Sequence, residues 1–224
     1  MGIDLSEKQF LQFEKYYELL TEWNSFMNLT AITEHEEVLK KHFLDSLSIV
    51  KAVKMEDIHT VMDIGTGAGF PGIPLKISYP HLKVVLLDSL GKRVKFLNHV
   101  INELGLEDIS AIHGRAEDFA RQAEYREQFD LCVSRAVANL SSLSEYCLPY
   151  TRKNCLFVSY KSGKVEEELE NAKRAISLLG GKVEYVSKFM LTDAGERALV
   201  VIRKEKHTPN KYPRKAGLPS REPL

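Results

Sequence analysis

Residues 62–72, MDIGTGAGFPG, set an aspartate, four glycines and a proline around the end of a short apolar run. Glycines at 65, 67 and 69 can take backbone angles closed to other residues and bring main-chain N–H groups against a ligand. Pro71 suits the start of a helix, so the loop feeds a helix N-terminus. Two ligand classes fit this plan. Gly67-x-Gly69-x-x-Gly72 has the spacing of a dinucleotide pyrophosphate loop, with Asp88 roughly 20 residues on as the ribose-binding acid. Asp63-x-Gly65-x-Gly67-x-Gly69 has the spacing of an S-adenosylmethionine loop, Asp88 again holding the ribose hydroxyls.

Asp63 separates the two. A carboxylate inside the loop repels a pyrophosphate, whereas it attracts the ammonium of a methionine moiety. A bare turn rarely needs an acid and four glycines between strand and helix. A second segment, HGRAEDF (113–119), offers the amide of Ala116 and the carboxylate of Glu117 to an adenine edge. The structural alternative for Glu117 is a first-turn helix acid favoured by the dipole. Arg135 ends another apolar run and stands beside the transfer point. It either donates to a substrate carbonyl or pairs with Asp63 or Glu117. Arg197 opens the last run, as a phosphate contact or a solvated edge charge.

His42 and Asp45 in HFLDSL share one helix face, fitting either a seal over the cofactor or an internal hydrogen bond to the sheet. Asn28 and Thr30 read as helix-capping residues. Lys92 and Arg93 are either contacts to a polyanion backbone or part of an exposed helix face, and Lys161, after the fifth apolar run, is a further candidate for such a contact. Cys132, Cys147 and Cys155 lack metal or disulfide spacing, so no metal site is expected and the thiols are read as reduced and buried.

These residues need elements to hold them. Phe10, Phe13, Tyr17, Leu20, Trp23 and Met27 make one apolar face of a helix over 6–29, with Ser6 as N-cap. A second helix is predicted over 34–53. From Thr60 short apolar runs at 60–64, 83–88, 109–113, 129–134 and 154–160 alternate with helical segments near 72–79, 91–104, 116–124, 139–148 and 165–179. That alternation predicts βαβ units and a buried parallel sheet. Runs at 182–191 and 197–204 follow with no helix between them, an antiparallel ending. The expected fold is therefore α/β, a Rossmann-like, mostly parallel seven-stranded sheet of the class I methyltransferase plan. It carries a helical cap at 1–55, a cofactor-binding domain at 56–204 and a basic tail at 205–224.

The 224 residues are 44% apolar and 28% charged, an ordinary globular balance, with zero formal net charge. No apolar run approaches the roughly 18 residues of a membrane span. The start MGIDLSEKQF has acids where a signal peptide needs a basic, then apolar, stretch, so a cytoplasmic location is expected. The charge is uneven: Lys204–Leu224 holds six Lys or Arg against two Glu, leaving the body with a net −4. Such a tail is either an arm for a polyanion or a solvated terminus.

VMDIGTGAGFPGIPL, DSLGKRVKFL, GRAEDF, VSRAVA and GERALVVIRK closely resemble the bacterial methyltransferases of N7 of one guanine in the 530 loop of 16S ribosomal RNA, also called glucose-inhibited division protein B. WNSFMNLTAI, HFLDSL and YPRKAGLPSREPL extend the likeness over nearly the whole chain. The resemblance implies that S-adenosylmethionine is the cofactor, with Gly65, Phe70, Ala116, Glu117 and Arg135 binding it. It implies an active-site cluster of Arg115, Arg135 and Arg197, and 16S rRNA or a small-subunit precursor as partner. A monomer with no membrane association is expected. The chemistry agrees with the residues present. Guanine N7 carries a free lone pair and no proton, so its methylation needs positioning and exclusion of water rather than a general base. Accordingly the sequence has no NPPY-type motif, and no cysteine stands out as catalytic, Cys132 lying inside a predicted strand.

Overall fold

The computed structural model describes residues 2–135, 137–163, 165–192 and 194–224. Among these, the strands are β1 (Thr60–Ile64), β2 (Lys83–Asp88), β3 (Ile109–His113), β4 (Phe129–Arg135), β5 (Thr151–Ser162), β6 (Gly181–Leu191) and β7 (Gly195–Lys204). They form one sheet in the order β3-β2-β1-β4-β5-β7-β6. β3 through β5 pair in parallel, and β7 is antiparallel to both β5 and β6. The order reverses between β1 and β4, which opens a crevice at the carboxyl ends of those strands.

Helices cover both faces, which is why β1 and β4 are almost continuously buried rather than alternating. On one face lie α1 (Glu7–Met27), α4 (Gly72–Ser78) and α5 (Gly91–Glu103), sharing a core with the sheet through Tyr16, Leu20, Ile73, Phe96 and Val133. On the other lie α6 (Ala116–Phe119), α7 (Leu140–Cys147) and α8 (Glu166–Leu178), packed through Leu143, Cys147, Ala172 and Ile176.

α1 starts where its sequence places it. Ser6 and Gln9 form a reciprocal capping box, worth about 1 kcal/mol. Asn28 ends it in the left-handed region at φ 51, a conformation asparagine tolerates better than most residues. The second helical run departs from the single helix expected over 34–53. It comprises α2 (His35–Val38), a wider π-helical stretch at Leu39–Leu44, α3 (Asp45–Leu47) and a tight turn at Ser48–Lys51. The helix expected over 116–124 ends at Phe119. The guanidinium of Arg126 folds back onto the Ala120 carbonyl and continues to the carbonyls of Tyr212 and Thr208, competing with a longer helix.

That anchor reflects the second departure. The segment after β7, which charge alone presents as an arm or a solvated terminus, packs on the α7 face. Lys204, fully buried, pairs with Glu127 at 3.0 Å and donates to the Leu148 carbonyl. Arg214 spans the buried Glu145 with its Nε and Nη2, at 3.0 and 2.8 Å. A short helix, α9 (Leu218–Arg221), closes the segment, and the Pro219 carbonyl accepts from Ser142 at 2.7 Å. No helix among the described residues is long and apolar enough to cross a membrane.

Candidate active site

The glycine loop leaves β1 at the crevice. Gly65, Gly67 and Gly69 all have positive φ, at 69, 64 and 102°. Only some of that freedom faces a ligand space. A Cβ on Gly67 would meet nothing within 4 Å, whereas one on Gly69 would lie 2.7 Å from the Tyr16 hydroxyl and 2.5 Å from Ile73. Gly69 therefore admits α1 and α4, and Gly67 keeps the loop open. Gly65 lies against Val137, whose Cγ2 would be 2.6 Å from an added Cβ.

Asp63 sits fully buried beneath the loop. Its Oδ2 accepts from Thr66 Oγ1 at 2.7 Å and from the Gly72 amide at 2.8 Å, while its Oδ1 has no partner. Burial pushes its pKa up to about 7, and the two hydrogen bonds hold it back from rising further. Asp88, at the end of β2, braces the loop: its carboxylate accepts from the amides of Gly67 and Leu90, both at 2.9 Å, and meets Arg93 at 3.4 Å.

A small cavity of about 160 Å³ opens here, bounded by Gly65, Leu87, Ala116, Glu117, Val137 and Ser220 among others. Glu117 is buried, and its Oε1 accepts from the Gly217 amide at 2.7 Å, so the C-terminal segment meets the carboxylate expected to face adenine. Arg115 also lines this cavity.

A larger cleft of about 460 Å³ lies on the β4–β5–β7 side, lined by Lys41, His42, Asp45, Arg135, Lys161 and Arg197 with Tyr160 behind them. Asp45 organises it. One carboxylate oxygen takes Arg135 Nη1 at 2.8 Å and the other takes Arg197 Nε at 2.9 Å. The π-helical stretch helps, because Arg135 also donates to the Lys41 carbonyl at 3.2 Å. Below, the guanidinium lies 4.9 Å from the centre of the Phe70 ring, on which His42 also stacks at 4.6 Å. His42 accepts at Nδ1 from Arg135 Nη2 at 3.4 Å when its proton sits on Nε2, which then donates to Thr30 Oγ1 at 2.9 Å. Burial, then the neighbouring Arg135, lower the His42 pKa to about 4, so the ring is neutral near pH 7.

The expected residues thus divide between two spaces. Gly65, Ala116, Glu117 and Arg115 border the smaller cavity; Arg135 and Arg197 border the cleft. Of the three arginines expected to cluster, Arg135 and Arg197 meet on Asp45, while Arg115, two residues beyond β3, lines the smaller cavity. Phe70 borders neither space. It is buried among Tyr16, His42 and Phe43 and serves as the floor under Arg135. Arg135 likewise meets neither Asp63 nor Glu117; its partner is Asp45. HFLDSL puts Asp45 on the His42 face of its helix but does not indicate which sheet residues that helix will cover. Lys161 turns inward, donating to the Ala138 carbonyl at 2.9 Å and to Glu168 at 2.5 Å. Among the described residues no group of three or more His, Cys, Asp or Glu is arranged to hold a metal ion.

A mostly parallel sheet ending in an antiparallel pair, with an acid-bearing glycine loop after β1, defines a class I, S-adenosylmethionine-dependent methyltransferase. The same fold occurs in an O-methyltransferase from Bacillus cereus in complex with SAH, at TM-score 0.60 and 18% identity over 85% of this chain and 91% of that one. It occurs also in a ribosomal protein L11 methylase from Lactobacillus delbrueckii subsp. bulgaricus, at TM-score 0.53 and 18% identity, covering 73% and 77%. Residues 9–200 match the profile of the rRNA small subunit methyltransferase G (GidB) family. The chain is 59% identical over its whole length to the ribosomal RNA small subunit methyltransferase G of Lachnoclostridium phytofermentans, and 51% identical to that of Clostridium tetani, covering 93% and 94% of those proteins. It belongs to this family and is a methyltransferase.

Proposed function

We propose that the protein methylates N7 of a guanine in the 530 loop of 16S ribosomal RNA, in the bacterial cytoplasm and as a monomer. The observation that carries the reading is the pairing of the Asp63 glycine loop with an adjoining cleft whose two arginines share one carboxylate. The residues fit S-adenosylmethionine: Asp63 Oδ1 is a buried acceptor with no partner, and Gly67 faces open space at positive φ. Asp63 would hold the ammonium, Gly65 and Gly67 would admit the methionine backbone, and Ala116 with Glu117 would take the adenine edge. Ligand sites run to about 300–1,000 Å³, so the 160 Å³ space has to widen. Asp88 would exchange loop contacts for the ribose.

When bound, S-adenosylmethionine supplies an electrophilic methyl group. The protein's own residues orient the nucleophile. Arg135 is fixed from three directions, by Asp45, the Lys41 carbonyl and the Phe70 ring, and its guanidinium suits donation to guanine O6, which presents N7 beside it. No group near this pair needs to take a proton. The product base is cationic, and the Asp45 carboxylate offsets the charge of the two arginines that would otherwise repel it. Arg197 would hold a phosphate. Mapping N7-methylguanine in 16S rRNA from cells lacking the gene and from cells regaining it tests the reading. Methylation that appears only with the gene is expected, and an unchanged 530 loop would overturn it.

A further inference from the structure

α1 ends in an aromatic shelf. Phe26 is 65% exposed and leans on Trp23, ring centres 5.6 Å apart. Trp23 is itself fixed against Phe96 and His99 of α5, at 5.6 and 5.1 Å. On α5, Lys92, Lys95 and His99 fall three and four residues apart and so share a face. Lys92 Nζ reaches the Met27 carbonyl at 3.2 Å, which sets that face beside Phe26. Both lysines are exposed, and among the described residues no carboxylate pairs with either. Glu22 lies one turn before Phe26 on α1. Phe10 and Leu11 are comparably exposed at the other end of α1, but Glu7, Lys8, Lys15 and Glu103 surround that end with mixed charge.

The shelf lies on the same rim as the cleft. Gln12 donates to the Leu104 carbonyl at the far end of α5, so Phe26 lies at the rim where the strands' carboxyl ends open. Phe26 and Thr30 are four positions apart, at most about 14 Å of chain. Asn24 Oδ1 accepts from the Thr30 amide at 2.8 Å and fixes this turn, and Thr30 Oγ1 lies 2.9 Å from His42 of the cleft.

We infer that the Trp23–Phe26 shelf and the Lys92–Lys95 face dock a single-stranded segment of the RNA substrate flanking the target base. A base stacks on Phe26, and the neighbouring phosphates meet the two lysines. This rests on the reading that the substrate is RNA. An exposed ring serves any base, because every base has a π-face, while unpaired lysines match a phosphate chain better than an apolar protein partner.

The test uses the full chain with a labelled 16S rRNA fragment containing the 530 loop, and S-adenosylhomocysteine calorimetry as a check on folding. Phe26→Ala should weaken RNA binding about 5- to 100-fold and raise the RNA KM, leaving S-adenosylhomocysteine binding unchanged. Replacing Lys92 and Lys95 by Gln should lower the slope of log K against log salt by about 1.4, two single-strand phosphates' worth. Glu22→Gln should tighten binding, a gain that misfolding cannot imitate. Wild-type RNA affinity and salt slope in all three variants would overturn the inference while leaving the methyltransferase reading intact. Loss confined to intact ribosomal particles would also overturn it, by pointing to a protein partner. A wild-type protein that binds no 16S rRNA at all would overturn both readings.

Discussion

Asp45 and Arg135 form a 2.8 Å ion pair between the helical cap and the carboxyl end of β4, with side chains only 8% and 13% exposed. The cap is thus part of the cleft. Its carboxylate sets the direction of the arginine, and the same carboxylate reaches Arg197 on β7.

Asp45→Asn keeps the shape of the side chain and removes the charge shared by both arginines. Breaking a buried pair of this kind costs about 3 kcal/mol, or a Tm roughly 6–12 °C lower in a chain of this size. Misdirecting Arg135 should reduce methyl transfer about 100-fold. Thermal melts and transfer of labelled methyl to 16S rRNA check the two effects, and S-adenosylhomocysteine should still bind.

Asp63, with its pKa raised to about 7 by burial, favours its protonated form in the folded state. The folded chain therefore holds a proton that the unfolded chain releases near pH 4, the ordinary carboxylate value. Its contribution to stability is fully present below that value and is lost as pH rises towards 7. Asp63→Asn should flatten this fall and stabilise the ligand-free protein near neutrality. It should also abolish the proton release expected on S-adenosylmethionine binding, measured by calorimetry in buffers of different ionisation heat.

His42 acts in the opposite sense. Its pKa is lowered from 6.5 to about 4, so the folded state resists a proton that the unfolded chain accepts. Stability from this ring is present above pH 6.5 and is lost as pH falls towards 4. His42→Gln should remove that acid sensitivity. In the wild-type protein, imidazole resonances should show one histidine staying neutral down to about pH 4.

Gly67→Ala separates ligand access from folding. The added Cβ meets no protein atom, leaving only the positive-φ cost of about 1–2 kcal/mol, so the variant should fold yet lose S-adenosylhomocysteine affinity. Gly72→Ala should instead destabilise the fold by about 1–3 kcal/mol, because its Cβ would lie 2.3 Å from the Leu86 side chain and 2.9 Å from Asp63 Oδ2 in the core.

Arg214→Ala should destabilise the fold by about 3 kcal/mol by stranding the buried Glu145 carboxylate. Its effect on Tm should exceed its effect on RNA affinity. The reverse would make the C-terminal segment an RNA-binding arm rather than part of the domain.

The sheet and the loop are written in the residues alone. β1, β2 and β3 fall on the runs 60–64, 83–88 and 109–113, because alternation of buried strands and amphipathic helices is a local pattern that hydrophobicity writes directly. The Asp63 glycine motif was legible for the same reason, since loop, strand end and helix start are contiguous in the chain. The partners of the charged groups came from packing across the fold. Arg135 and Asp45 are 90 residues apart, Arg197 and Asp45 are 152 apart, and Gly217 meets Glu117 across 100. Which charge a buried arginine finds depends on how the cap and the C-terminal segment pack against the sheet, and that is fixed by the closing of the whole core. For the same reason a tail that reads as a free cationic arm is drawn into the fold: Glu127 and Glu145, distant in sequence, give Lys204 and Arg214 better partners than water does.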